Sequence, residues 1–287
     1  MPRPQAPTAT IHRWHHGSWH RADDELVAEE PLEIWLDGGP LSIVMRTPGN
    51  DLELTLGLLW AERVVTSLRQ VASVRISAEA EEDTTAVHVE PVLIESNRVD
   101  VRLREPGGRR PERSFVASAA CGVCGATTLE SLALDFPEVS PGPVVDPAVF
   151  PGLADDLRAH QRLFDRTGGL HAAALFDAGG RLLAVREDVG RHNAVDKVVG
   201  HALLGGMLPL AGTLLAVSGR GGYEIAQKAV AAGIPVVAAV GAPSSLAVAT
   251  AARFGVTLVG FLRDGRFNVY SHPERIAGMQ RADGPER

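Results

Sequence analysis

TLLAVSGRGGYEIAQKAVAAGIPVVAAVG, residues 213–241, decides how the second half of the chain folds. Thr213 to Ser218 is a short apolar run closed by Gly219-Arg-Gly-Gly222, a strand followed by a turn. Residues 223–232 carry helical periodicity, and Gly233 and Pro235 stop that helix before a second strand at 234–240. Val236 to Val240 has no polar residue, which fits a strand covered on both faces. The same alternation extends outward. A helix at 245–254 and a strand at 256–262 follow; a helix near 152–165, strands at 171–176 and 181–186 and a helix at 190–204 precede. Strands alternating with helices predict a layered α/β/α sandwich on a largely parallel sheet.

The first half reads differently. Leu32 to Leu36 and Leu41 to Met45 flank Asp37-Gly38-Gly39, a hairpin signal, and Asp51 is placed to cap a helix running to about Val65. Strands are expected near 71–76, 86–94 and 98–103, and a helix from Thr127 to Leu134. This is a smaller, strand-rich α+β unit spanning 21–135. Residues 1–20 carry His12, His15, His16 and His20 with no apolar periodicity, and are expected to fray as a polar arm. Phe136 to Pro151 holds five prolines, the composition of a linker, so the second unit is drawn as 152–287.

Composition narrows the function. Apolar residues make up 45% and charged residues 22% of the 287, the balance of a globular protein. A net charge of -7 argues against general nucleic-acid binding. The N-terminus has no apolar run of the secretory kind, so a cytoplasmic protein is expected. Ala229 to Ala252 is free of charge, but its glycines and prolines divide it into buried elements rather than a membrane span.

Three stretches carry chemistry. The only cysteines are Cys121 and Cys124, in a Cys-Gly-Val-Cys loop flanked by Gly125. A thiolate there can attack a donor persulfide and hold the sulfane sulfur, with its neighbour able to resolve or release it. Arg109, Arg110 and Arg113 could activate it or merely solvate the loop. A competing reading pairs His88-Val-Glu90 with the cysteines as the zinc site of a nucleobase deaminase. Against it, residues 86–92 alternate like a strand, and Ala120 replaces the proline such sites place before the first cysteine.

Ser218-Gly219-Arg220 and Gly241-Ala-Pro-Ser-Ser245 each join a strand to a helix, and parallel strands bring such loops to one sheet edge, where free amides attract phosphate. No Gly-Lys-Ser/Thr motif occurs and the third glycine of the dinucleotide fingerprint is missing, which excludes a P-loop and argues against a nicotinamide dehydrogenase. Arg263-Asp264-Gly265-Arg266 follows the last buried strand; its arginines either grip a pyrophosphate or flank an exposed turn. Arg186 to Lys197 is densely polar, and Arg191 and His192 at a helix start oppose the helix dipole, which argues for a bound anion. His171 stays open between structural and ligand roles.

These residues together resemble the formate dehydrogenase accessory sulfurtransferase (FdhD) family. The resemblance runs through Glu30-Pro-Leu-Glu-Ile34, Met45-Arg-Thr-Pro-Gly49, Cys121 to Gly125, Thr167-Gly-Gly169 with His171, Arg186 to Lys197, Ser218-Gly-Arg220, and Gly260-Phe-Leu-Arg263 to Asn268-Val-Tyr270. It implies a sulfur carrier that takes sulfur from a cysteine desulfurase and passes it to molybdenum bis(molybdopterin guanine dinucleotide) before that cofactor enters formate dehydrogenase. Cys121 becomes the persulfide carrier and Cys124 its partner. The cofactor would contact Phe261, Leu262, Arg263, Asp264, Gly265 and Arg266, together with Ser218, Gly219, Arg220, Gly241, Arg191 and His192, and a GDP-like fragment would share that site. The resemblance also implies a cytidine deaminase-like fold for residues 152–287 without the zinc chemistry, and a homodimer. The alternative from another class is a non-catalytic chaperone that binds the cofactor and hands it on.

Overall fold

The computed structural model describes residues 4–77, 86–92, 97–105, 115–117 and 136–279, a mixed α/β structure with three sheets. Thr8–His15 (β1) and Ser18–Glu25 (β2) pair antiparallel across His16 and Gly17, both in the left-handed region. The stretch expected to fray is therefore a hairpin. Two left-handed residues make the tight turn whose twist matches paired strands, and Trp14 faces Trp19 beside it. Its root is tied down by the Leu26 amide on the Pro7 carbonyl and the Ala28 amide on the Gln5 carbonyl, each 2.9 Å.

Glu30–Leu36 (β3) and Gly39–Arg46 (β4) form the expected hairpin over Asp37 and Gly38. Asp51–Ala61 (α1) follows, then Val71–Ser77 (β5), Val89–Val92 (β6), Arg98–Leu103 (β7) and Phe115–Ala117 (β8), in the sheet order β6-β5-β7-β3-β4-β8. The helix ends earlier than expected, and Asp51 is not its cap. Asn50 holds that position in the left-handed conformation, while Asp51 accepts two hydrogen bonds from the buried Arg46 guanidinium at 2.9 and 2.8 Å. Leu52, Leu54, Leu56 and Leu59 are all fully buried, so α1 is covered nearly all round. The helix expected at 127–134 lies outside the described residues.

In the second half, Val149–Ala159 (α2) and Arg162–Thr167 (α3) stand where one helix was expected. Then come His171–Asp177 (β9), Leu182–Asp188 (β10), Arg191–Leu204 (α4), Thr213–Val217 (β11), Tyr223–Ala232 (α5), Val236–Ala239 (β12), Ser245–Phe254 (α6), Thr257–Arg263 (β13) and Arg266–Ser271 (β14). The sheet order is β10-β9-β11-β12-β13-β14. Only β11, β12 and β13 pair in parallel; β9 and β14 run against the other four strands. The largely parallel sheet of the sequence reading is thus mixed, because β9 to β10 and β13 to β14 are joined by short turns that can only return antiparallel. One face packs on α4, α5 and α6, the other on α2 through Phe150, Leu153 and Leu157. The charge-free stretch divides into the end of α5, then β12 and α6. Among the described residues no helix is long and apolar enough to cross a membrane.

Residues 136–151 are docked rather than free. Phe136 and Val139 are buried in the core with Phe254, the Val139 amide donates to the Phe254 carbonyl at 2.8 Å, and the Arg275 guanidinium reaches the Pro141 carbonyl.

The two halves meet where α1 lies on α4. A Cβ at Gly57 would overlap the Asp196 carbonyl oxygen, and one at Gly200 would overlap the Glu53 carbonyl, so each helix uses a glycine to admit the other's backbone. Beside this contact Glu53 accepts two hydrogen bonds from Arg186 at 2.5 Å and meets His201 Nδ1 at 2.9 Å. Glycine to alanine inside a helix ordinarily stabilises by about 1 kcal/mol. Gly200→Ala should reverse that sign and cost about 1–3 kcal/mol by forcing the helices apart. A lower denaturant midpoint is the expected result, and an unchanged or higher one would contradict the packing.

Candidate functional site

Four strands, β10, β11, β12 and β13, point the same way and end at one edge of the C-terminal sheet. Their loops are bonded into one rim. The Gly241 amide donates to the Gly219 carbonyl at 2.9 Å, the Ser244 amide to Gly221 at 3.1 Å, and the Phe261 amide to Gly241 at 3.1 Å. Glycine is needed where these loops touch. A Cβ on Gly241 would sit 3.1 Å from the Arg220 Cα, and one on Gly219 would sit 3.3 Å from His171 Nδ1. Phe261 holds φ 55, a conformation costing a bulky side chain of order 1–2 kcal/mol, at the bulge that turns its amide toward Gly241.

Beyond Phe261 the strand pair continues to a two-residue turn at Asp264 and Gly265, both left-handed, with Arg263 and Arg266 opposite one another and exposed. The arginines flank an exposed turn, and that turn continues the strand pair beyond the rim. The side chain of Leu262 is buried with Phe150 and Val259 on the α2 side, because the bulge at Phe261 interrupts the alternation that would send residues three apart to opposite faces. Ser218 is also occupied, its hydroxyl oxygen accepting the Ala172 amide at 2.9 Å.

Positive charge gathers on the rim. Burial lowers the pKa of His171, and the charges of Arg191, His192 and Arg220 lower it further. Burial likewise lowers that of His192, although Glu224 opposes the shift through a 2.6 Å contact with Nδ1. Burial alone would raise Glu224, but His192 and nearby cations outweigh it and hold the carboxylate ionised. The Nε of Arg191 is buried with no hydrogen-bond partner among the described residues. Behind these groups Lys228 Nζ binds both Asp196 oxygens at 2.7 and 2.9 Å; burial pushes that carboxyl up to about 6 against the pull of Lys228.

Most of the polar block 186–197 serves the seam between the two halves. Asp188, fully buried, pairs with Lys197 Nζ at 2.8 Å and accepts the Gly190 amide and the Asn193 side chain, each at 2.8 Å. Asn193 also donates to the Met45 carbonyl and Lys197 to the Thr47 carbonyl, at 2.8 and 3.0 Å. Only Arg191 and His192 of this block are left to the rim. Sequence spacing gave no sign of Glu224 or of the Asp188 and Lys197 pairing, since each partner comes from a separate element.

Cys121 and Cys124 lie outside the described residues. Their flanks do not. β8 pairs in parallel with β4, Ala117 beside Val44, and so runs toward Met45 to Thr47, the end of β4 held by Asp188, Asn193 and Lys197. Phe136, on the far side of the pair, is buried in the C-terminal core. His88 adjoins β6, the edge strand opposite β8 in the six-stranded sheet. The cysteines that the zinc deaminase reading pairs with His88 and Glu90 lie outside the described residues. Among the described residues no group of three or more His, Cys, Asp or Glu could hold a metal ion.

A family model described as the FdhD/NarQ family matches residues 27–277. The chain belongs to this family. Sulfur carrier protein FdhD of Streptomyces coelicolor is 51% identical over 261 residues, covering 88% of this chain and 89% of the relative. The protein of the same name from Sulfolobus acidocaldarius is 43% identical over 255 residues, covering 89% of this chain and 92% of the relative. A crystal structure described as a formate dehydrogenase accessory protein, from Desulfotalea psychrophila, superposes with a TM-score of 0.73 at 24% identity, over 95% of this chain and all of that one. Its fold is shared by this FdhD/NarQ chain.

The rim makes a direct electrostatic prediction. Since Glu224 holds His192 up against burial, Glu224→Gln should lower the His192 pKa further. Titration of the imidazole by NMR reads it, and a pKa unchanged or raised would contradict the contact.

Proposed function

We propose that this chain is a sulfur carrier and sulfurtransferase acting for formate dehydrogenase. It accepts sulfur from a cysteine desulfurase as a persulfide and transfers it to molybdenum bis(molybdopterin guanine dinucleotide) before that cofactor is inserted. The observation that carries the reading is the cationic rim with its orphaned Arg191 Nε, a site suited to the phosphates of a dinucleotide, on the same seam toward which the strand before Cys121 runs. The names of its relatives, sulfur carrier proteins, support the first half of the reading.

The loading step balances without an outside oxidant. The Cys121 thiolate attacks the terminal sulfur of the donor persulfide, a new S–S bond forms, the donor's S–S bond breaks, and the donor leaves as a thiolate. Release balances likewise: the Cys124 thiolate would attack the Cys121 sulfur, a Cys121–Cys124 disulfide would form, the bond to the outer sulfur would break, and that sulfur would leave at the sulfide level with two electrons from the cysteine pair. At the rim, Arg220 and Arg191 would hold the phosphates where the glycines Gly219 and Gly241 let a ligand come close, and Arg263 and Arg266 would close over one end. Phe261 would pack there, with Asp264 and Gly265 shaping the turn.

Incubation with a desulfurase and cysteine should add one sulfane sulfur to the peptide holding Cys121, seen as about 32 Da by mass spectrometry and lost in Cys121→Ala. If Cys121→Ala still matured formate dehydrogenase fully, the chaperone role would replace sulfur transfer. GDP should bind at the rim, and Arg263→Ala or Arg266→Ala should each remove a charge-assisted bond of about 1.5–3 kcal/mol, weakening binding tenfold or more in calorimetry. Unchanged affinity in both variants would move the site elsewhere. Because burial and neighbouring charge hold His171 and His192 below their ordinary range, a bound diphosphate should raise both. Binding then takes up protons and tightens as pH falls through the bound-state values, after correction for protonation of GDP itself; affinity that weakened on acidification would contradict this.

A further inference from the structure

The β1–β2 hairpin is not used by anything above, and the family match begins at residue 27, just after it. From His12 to Arg21 its tip contains two arginines, four histidines and two tryptophans and no acidic residue, in a chain whose net charge is -7. Trp14 and Trp19 are 57% and 67% exposed and stack across the strands with ring centroids 5.3 Å apart. Exposed tryptophan on a rigid pair of strands is costly to leave in water and is among the residue types that dominate binding energy at interfaces. Among the described residues β1 and β2 pair only with each other, so both edges of the hairpin present free backbone groups. A lone two-stranded hairpin is marginal by itself and gains stability from whatever covers it.

The acidic residues of the hairpin are all at its base, and they are engaged. Asp23 accepts from the Thr10 hydroxyl at 3.0 Å, Asp24 lies 3.6 Å from Arg13, and Glu25 accepts two hydrogen bonds from Arg166. That base is fastened beside the rim. The Gln5 side chain donates to the Pro48 carbonyl at 2.6 Å, next to Thr47 of the seam, and Val27 lies against Gly169, two residues before His171. A protein gripped by the tip is therefore tethered to the part of the molecule that carries the seam and the rim, about 23 Å along the strands from the hairpin's base.

We propose that the hairpin tip docks the protein that donates sulfur, by its tryptophan pair and by attraction to an acidic surface on that donor. The inference rests on the sulfur-carrier reading. The donor is the partner that needs such a dock. The cofactor brings phosphates that the rim itself recognises, whereas a persulfide on another protein offers only one sulfur atom and must be positioned by a protein contact. The cationic, acid-free tip favours an acidic face, which steers the encounter as well as holding it.

The test uses the full chain, a purified cysteine desulfurase with cysteine as one sulfur source, and inorganic polysulfide as the other. Trp14→Ser/Trp19→Ser and Arg13→Glu/Arg21→Glu are compared with the wild type by the rate at which sulfane sulfur appears on Cys121. At subsaturating desulfurase both variants should load at least tenfold more slowly, with polysulfide loading unchanged, and the charge variant should lose the salt dependence seen in the wild type. Loading from desulfurase at the wild-type rate in both variants would overturn the docking proposal and leave the carrier reading intact. Equal loss from both sulfur sources would also overturn it, since the hairpin would then be acting on the cysteines themselves. So would a change in self-association, read by sedimentation, with donor-dependent loading unaltered. If the wild type took sulfur from neither source, the carrier reading would fail and the dock would fall with it.

Discussion

The buried ion pair of Asp188 with Lys197 is the constraint on which the rest of the molecule depends. Both side chains are all but fully enclosed, so their charges are compensated by each other, by Gly190 and Asn193, and by the backbone of Thr47 and Glu187. Removing one partner of such a pair typically costs about 3–5 kcal/mol, because the other is left charged in a dry interior. The pair therefore fixes the end of β4 to the end of β10 and to the first turns of α4. Two sheets with separate cores become one body at that point, and the glycine contacts between α1 and α4 extend the union behind it.

Fixing that junction also fixes the rim. With α4 held at its start, Arg191 and His192 have nowhere to go but the edge where β11, β12 and β13 end, and the mutual hydrogen bonds of Gly219, Gly241 and Phe261 close the row. Burial lowers the proton affinity of His171, and Arg191, His192 and Arg220 beside it lower it further. That arrangement is unfavourable for an empty site and favourable for one that receives an anion, the usual signature of a functional cluster. The strained φ of Phe261 belongs to the same economy, since the bulge that strains it is what brings the β13–β14 turn to the rim.

Much of this was legible in the sequence where the signal is local. Apolar runs, the Asp37 and Gly38 turn and the glycines after Ser218 and before Ala242 located strands and loops, and strand direction then brought the loops to one edge. Pairings between distant elements were not legible. The block from Arg186 to Lys197 announced that polar groups were concentrated, but only the fold divides them between seam and rim. Leu262 stands in one motif with its neighbours, and the bulge at Phe261 turns it into the core on the face of Val259. The hairpin of residues 8–25 was passed over because its exposed faces show no apolar alternation, although His16 and Gly17 held the turn signal. Proline content alone made 136–151 resemble a linker, while Phe136 and Val139 dock it.

The proposed function requires that sulfur carried by this chain leave it for a cofactor bound at the rim. Protein loaded with 35S-persulfide on its cysteines and mixed with unsulfurated molybdenum bis(molybdopterin guanine dinucleotide) in a single turnover measures this directly. The label should leave the protein and appear on the cofactor in proportion to the formate dehydrogenase activity that the cofactor then supports. Activity gained while the label stays on the protein would contradict it.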